Sequence, residues 1–278
     1  MNPIQQSQQE RASLLAPRIL WIGLVIAISV SVANAQNSPL IKPSIVADVR
    51  IVGNTNQTVL VSHGSGCLEQ QSHNWAKQLN EWGYNAVVID HCTARGLKRY
   101  TQSGIGPPPE LQSRDKALDY ILIAKWLAEQ AWHKGKIAVI GFSMGGTGVL
   151  KLIDENFSSN NLASTNKPYI DAAVAFYPEC KRDRPPLNPT IPTLIHHGES
   201  DELALSRRCK YAELQHPNYQ IMLYANVHHS FDDKTGDGRG TNVQGQSKIL
   251  RRYDREADYK SRVSTKEFLG RFLDNLAK

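Results

Sequence analysis

The chain has 278 residues, of which 41% are hydrophobic and 21% charged, and its formal net charge is +6. That balance excludes the disordered and fibrous classes and suits one α/β domain. The densest basic group, Lys248, Arg251, Arg252 and Arg255, is interleaved with Asp254 and Glu256, which reads as a solvated helix face. No nucleic-acid partner is expected.

Arg11 and Arg18 precede an apolar run, Ile19 to Val32, that ends at Ala33-Asn34-Ala35. A charged region, an apolar core and small residues, in that order, predict a secretory signal peptide over residues 1–35. The run is shorter than the roughly 20 apolar residues of a membrane-spanning helix, so an uncleaved anchor is the lesser alternative. Cleavage after Ala35 leaves a single domain, residues 36–278, exported to the periplasm or beyond, with no stable membrane insertion.

Residues 36–45 carry Ser, Pro and Asn and predict irregular chain. Val46–Val52 and Thr58–Ser62 are short β-branched runs, Ser72 to Trp82 reads as a helix closed by Gly83, and Ala86–Asp90 is a buried strand. The Gly/Pro-rich stretch from Thr93 to Pro109 has the length of loops that cover sites, with Arg95 and Tyr100 assigned to solvent. Helical spacing runs from Glu110 to Trp132, followed by a strand at Ile137–Ile140 and a helix at Met144–Asn156. Strands at Ala172–Tyr177 and Thr193–His197, a helix at Glu202–Leu214, a strand at Gln220–Tyr224 and a helix from Asp254 to Leu276 complete the chain. This alternation predicts an α/β fold, a mostly parallel sheet with helices on both faces. Sites in such sheets form at the carboxyl ends of strands.

Between the strand at Ile137 and the helix at Met144 stands Gly141-Phe142-Ser143-Met144-Gly145. Reversing from strand to helix at one residue strains that residue and leaves no room for side chains two positions either side. Gly-x-Ser-x-Gly in this setting resembles the nucleophile elbow of α/β-hydrolases. Ser143 is therefore the expected nucleophile, with the Met144 N–H facing a developing oxyanion. A glycine-rich packing turn is the plainer reading, and Gly146 and Gly148 serve that role.

A serine nucleophile needs a base held by an acid, and in this fold they follow it in the order acid, then His. Asp201 sits after the strand at Thr193–His197, with Glu199 and Glu202 as competitors. His228 and His229 follow the strand at Gln220–Tyr224, and spacing does not separate them. His196 and His197 lie within a strand and read as hydrogen-bonded structural residues. Upstream, Val59 to Ser62 leads into His63-Gly64-Ser65-Gly66, which assigns the Ser65 N–H as second oxyanion donor. Four cysteines follow the leader, Cys67, Cys92, Cys180 and Cys209. An even count in an exported chain predicts disulfides, with three pairings open, and the spacing lacks the CxxC unit of a zinc knuckle.

With these residues in place, the mature chain resembles the dienelactone hydrolase family. The matching pieces are His63-Gly64-Ser65-Gly66, Gly141 to Gly146, Gly198-x-x-Asp201, His229-Ser230-Phe231, and the segment from Tyr253 through Ala257 to Leu269. The family's His-x-Phe and Gly-x-x-Asp patterns imply His229 and Asp201. The type enzymes carry Cys as nucleophile where this chain has Ser143, so the resemblance speaks to fold and triad more than to dienelactone as substrate. It also implies Cys67–Cys92 and Cys180–Cys209 bridges bracing loops around the site.

The expected function is hydrolysis of a small ester or lactone through an acyl-enzyme, without metal or organic cofactor. A prolyl-oligopeptidase-like peptidase, a thioesterase and an inactive binding module of the same fold are the rivals. Pocket shape rests on residues 93–109 and 180–192, which carry no readable substrate code.

Overall fold

The buried runs of the sequence pair into one mixed sheet. Its strands are β1 (Val46–Arg50), β2 (Thr58–Ser62), β3 (Asn85–Ile89), β4 (Ile137–Phe142), β5 (Ala172–Phe176), β6 (Thr193–Gly198) and β7 (Tyr219–Tyr224). The structure is a computed structural model that describes residues 43–97, 111–162, 169–180, 191–213, 218–236, 240–243 and 246–274. The leader expected over 1–35, Tyr100 with most of the loop at 93–109, and residues 181–190 lie outside the described residues.

The strand order is β1-β3-β2-β4-β5-β6-β7. β1 runs antiparallel to β3, and every other pair is parallel. The helices that make the crossovers are α1 (Gln70–Glu81), α2 (Ser113–Ala128), α3 (Met144–Leu152), α4 (Glu155–Leu162) and α5 (Ser206–Glu213), with α6 (Arg255–Leu273) closing the fold.

Period-two alternation sorts the strand residues to two cores. Leu60, Val139, Ala173 and Ile195 pack with Tyr120 and Leu127 of α2 and Val149 of α3. Val59, Val61, Ile140 and Val174 pack on the other face with Trp75 and Leu79 of α1 and Phe268 and Leu269 of α6. Covering both faces explains why β2, β4 and β5 read as largely apolar runs.

Several element ends differ from the sequence reading, each for a local reason. β4 continues past Ile140 because Gly141 and Phe142 stay in register with Ala175 and Phe176. The helix expected over Met144–Asn156 is two helices, since the Asp154 carboxylate accepts the N–H of Asn156 at 3.0 Å and starts α4 afresh. The helix expected from Glu202 begins only at Ser206, because Asp201 Oδ1 takes the N–H groups of Leu203 and Ala204 at 2.9 and 3.0 Å in a preceding turn. A two-stranded ribbon, β8 (Gly240–Val243) and β9 (Gln246–Leu250), was not anticipated.

Asp254 closes the amino end of α6 by accepting the Ala257 N–H at 2.9 Å, which satisfies one of the donors a helix start leaves free. Asp254→Ala should therefore cost about 1 kcal/mol of stability. A urea titration checks this, as a lower midpoint at unchanged slope.

Candidate active site

Ser143 takes φ 51° and ψ −116° between β4 and α3, a region that L-residues rarely occupy. Its N–H still donates to the Phe176 carbonyl at 2.9 Å, as the sheet ladder requires, while its own carbonyl already accepts the Thr147 N–H at 2.9 Å in the first helical turn. One residue thus serves sheet and helix at once. A Cβ at Gly141 would run into the Gly145 carbonyl, and one at Gly145 would lie 2.7 Å from the carbonyl oxygens of Ser62 and His63. The flanking glycines are therefore steric requirements of the bend.

The bend leaves Ser143 partly exposed, and Oγ lies 3.0 Å from His229 Nε2. His229 Nδ1 is 2.7 Å from Asp201 Oδ2, so with Nδ1 protonated the ring donates to Asp201 and accepts from Ser143. The neighbouring loops come together because Gly198 has no Cβ to strike the Val227 carbonyl, which also accepts the Ser200 N–H at 3.0 Å. Asp201 is buried, whereas Glu199 and Glu202 are exposed. His229 is buried and meets Ser143, and His228 is only half-buried. Burial alone would raise the Asp201 carboxyl. The charge and hydrogen bond of His229, the charge of His197 and the Ala204 N–H outweigh burial and hold it below the usual carboxylate value.

Residues 63–66 pass beside Ser143, so closely that a Cβ at Gly64 would sit 3.3 Å from Ser143 Cβ. Ser65 and Gly66 form a turn there. Met144 opens α3, so its N–H has no preceding helical carbonyl to bind. Disulfides join Cys67 to Cys92 and Cys180 to Cys209, with Cα separations of 5.7 and 5.1 Å. The first packs with Met144 and Leu111, directly under this loop.

A profile of the dienelactone hydrolase family matches residues 48–273. The chain belongs to that family. Its fold recurs in a dienelactone hydrolase-like promiscuous phosphotriesterase from metagenomic libraries, with TM-score 0.60 and 18% identity, covering 80% of this chain and 88% of that one. An esterase from Pyrococcus furiosus gives TM-score 0.54 at 18% identity, over 80% and 85% of the two chains. A lidless α/β serine hydrolase from Xanthomonas campestris gives 0.51 at 14% identity, over 83% and 89%. No curated protein matches the sequence. The family match makes this chain a dienelactone hydrolase-like α/β hydrolase, and the structural likenesses concern its fold.

In this dienelactone hydrolase family member, His229 has a second neighbour that sequence reasoning missed. The Tyr177 ring centroid lies 4.5 Å from that of His229. Tyr177 also takes a positive φ of 38° at the end of β5. Its hydroxyl donates to Asp232 Oδ1 at 2.8 Å, and Asp232 accepts further bonds from Gln71 and the Trp75 indole. An aromatic residue just beyond a strand's carboxyl end was the available signal.

Beneath residues 63–66 lies a second buried polar group. His91 Nδ1 is 2.6 Å from Asp119 Oδ2, and His91 Nε2 is 2.9 Å from Ser62 Oγ. Arg95, assigned to solvent from the sequence, is exposed and at the same time grips both Asp119 oxygens at 2.8 Å, because its planar fork matches the carboxylate. His63, Asp90 and Cys92 bring possible metal-binding atoms within 4.8 Å of one another. Cys92 Sγ is held in its disulfide, however, and His63 Nε2 accepts the His91 N–H at 3.0 Å. His196 and His197 have the hydrogen-bond partners of structural residues. His196 lies between Tyr224 Oη and Thr265 Oγ1 at 2.9 and 3.0 Å, and burial pushes its pKa down to about 3.

The Asp201 shift carries a stability consequence. Its folded pKa lies below the unfolded value of about 3.9, so the unfolded chain takes up the proton first as pH falls. The stabilisation is complete above about pH 4 and is lost as pH drops through the lower folded value. Urea titrations from neutral to strongly acid pH should show a steeper acid loss in the parent than in Asp201→Asn. Equal slopes would exclude this linkage.

Proposed function

We propose that the chain is a serine hydrolase that cleaves a carboxylic ester or lactone through an acyl-enzyme. The observation that carries this reading is the hydrogen-bond chain from Ser143 Oγ through His229 to Asp201, at 3.0 and 2.7 Å. In this mechanism His229 Nε2 takes the Ser143 proton as Oγ attacks the carbonyl carbon. Asp201 holds the imidazole with its proton on Nδ1 and stabilises the imidazolium that forms. The N–H groups of Ser65 and Met144 receive the oxyanion. The tetrahedral adduct collapses, His229 returns its proton to the leaving alkoxide, and an ester yields free alcohol. Water then attacks the acyl-enzyme with His229 again as base, and the acid departs as Ser143 is restored. No step calls on a metal or organic cofactor.

Export belongs to the same proposal, with residues 1–35 as a leader and residues 36–278 as the working domain. Two disulfides are consistent with a location outside the cytoplasm. Among the described residues no helix is long and apolar enough to cross a membrane.

The test is a panel of p-nitrophenyl esters of increasing acyl length, with a lactone, a thioester and a peptide anilide alongside. Ester or lactone turnover is expected to lead the panel, and a fluorophosphonate should label Ser143. Ser143→Ala should lose turnover on the order of 10⁶-fold while unfolding at the parent's temperature. Ester cleavage retained by Ser143→Ala would overturn the assignment. Preference for the anilide or the thioester would move the chain to a peptidase or thioesterase, and failure to label would mark a binding module.

A further inference from the structure

We propose that Lys116 is a positioning residue for the oxyanion donor at Ser65, a role that rests on the ester-hydrolase reading above. Lys116 is fully buried, which is rare for lysine unless it is paired. Its Nζ donates to the His63 carbonyl at 3.0 Å and lies 3.4 Å from His63 Nδ1. The carboxylates that favour its charge, Asp119 and Asp90, act without direct contact, and burial holds its pKa well below the ordinary lysine value. A buried amine is thus committed to one backbone carbonyl at the root of the loop beside Ser143.

The connection from that carbonyl to the donor is short. His63 Nδ1 lies 2.7 Å from the Gly64 carbonyl, while Nε2 accepts the His91 N–H, so the neutral ring carries its proton on Nδ1 and donates it to Gly64. The Gly64 carbonyl and the Ser65 N–H belong to one peptide unit. That unit is planar and trans, so its oxygen and its N–H point in opposite directions. Anchoring the oxygen on His63 therefore sets the direction of the Ser65 N–H. Lys116 holds His63 by its carbonyl and stands beside the ring nitrogen that makes the anchor.

Two further features of α2 agree with this role. Gly148 on α3 leaves the space through which the lysine stem passes, since a Cβ there would come 2.9 Å from Lys116 Cβ. One turn on, the Tyr120 hydroxyl lies 2.9 Å from the Gly145 carbonyl, within the first turn of α3 that carries Met144. Residues four apart share a helix face, so this face of α2 reaches both walls of the site where the oxyanion would form.

A merely structural lysine and a positioning one make different predictions for Lys116→Met. Lys116→Met keeps the length of the stem but leaves the buried His63 carbonyl without its donor, which is destabilising. The variant should still fold, unfolding below the parent's temperature, and lose about 10- to 100-fold in kcat, less than outright loss of an oxyanion donor. KM should stay within about two-fold, since the interaction matters in the transition state. Lys116→Gln, which keeps an N–H donor, should recover part of kcat. The assays use p-nitrophenyl acetate on the full exported chain, with Ser143→Ala in parallel. Turnover surviving in Ser143→Ala would sink the hydrolase reading itself. An inactive Ser143→Ala with parent-like kcat in both Lys116 variants would sink this inference alone. A change confined to KM, or failure of both Lys116 variants to fold, would likewise overturn it by assigning Lys116 to binding or to the core.

Discussion

Ser143 sits at φ 51° and ψ −116°, with β4 ending in it and α3 beginning from it. Holding a non-glycine residue there costs on the order of 1–3 kcal/mol, and the surrounding structure must over-determine the bend for it to persist. It does so through the sheet bond to Phe176, the helix bond to Thr147 and two glycines that let backbones meet. The consequence is positional. β4 lies between β2 and β5 near the middle of the sheet, so the raised hydroxyl faces the carboxyl ends of several strands at once. Residues 63–65 follow β2, Tyr177 follows β5, Asp201 follows β6 and His229 follows β7.

Backbone strain is concentrated around that point. Among the described residues five non-glycines take positive φ: Cys67, Ser143, Tyr177, Asn226 and Ser230. Ser143 carries the hydroxyl, the Tyr177 ring lies against His229, Ser230 follows His229, and Cys67 closes the turn after Ser65. Such conformations gather where a site demands a particular aim for a side chain or N–H group. The Cys67–Cys92 bridge holds one of these strained turns covalently.

Two buried polar groups support the site from opposite sides. Behind His229, the fully buried Asp232 carboxyl is raised by burial and is bonded by Trp75, Tyr177 and Gln71. Beneath the loop at 63–66, Ser62, His91, Asp119 and Arg95 form a chain of paired donors and acceptors. Buried polar networks rigidify their surroundings when every member is satisfied and destabilise them when one is not. Both networks lie next to the candidate site, one at His229 through Tyr177 and the other at His63.

The sequence alone determined what depends on near neighbours. Short β-branched and apolar runs marked β2 to β6, the glycines around Ser143 marked the bend, and the motifs together resembled the family to which the chain belongs. Each of these signals is a short-range steric or periodic requirement, complete within a few consecutive residues. Even so, local chemistry misled where a side chain competed with the helix pattern, as Asp154 and Asp201 did by capturing N–H groups. Spacing left two adjacent histidines and three acids open, and only the family's patterns pointed to His229 and Asp201. The tertiary structure brings those two to Ser143, pairs Arg95 with Asp119, and stands Lys116 and Tyr177 behind the site. Those choices join residues 24 to 86 positions apart. They follow from strand order, register and the bend at Ser143, and no run of neighbouring residues encodes a direction in space that only the assembled sheet creates.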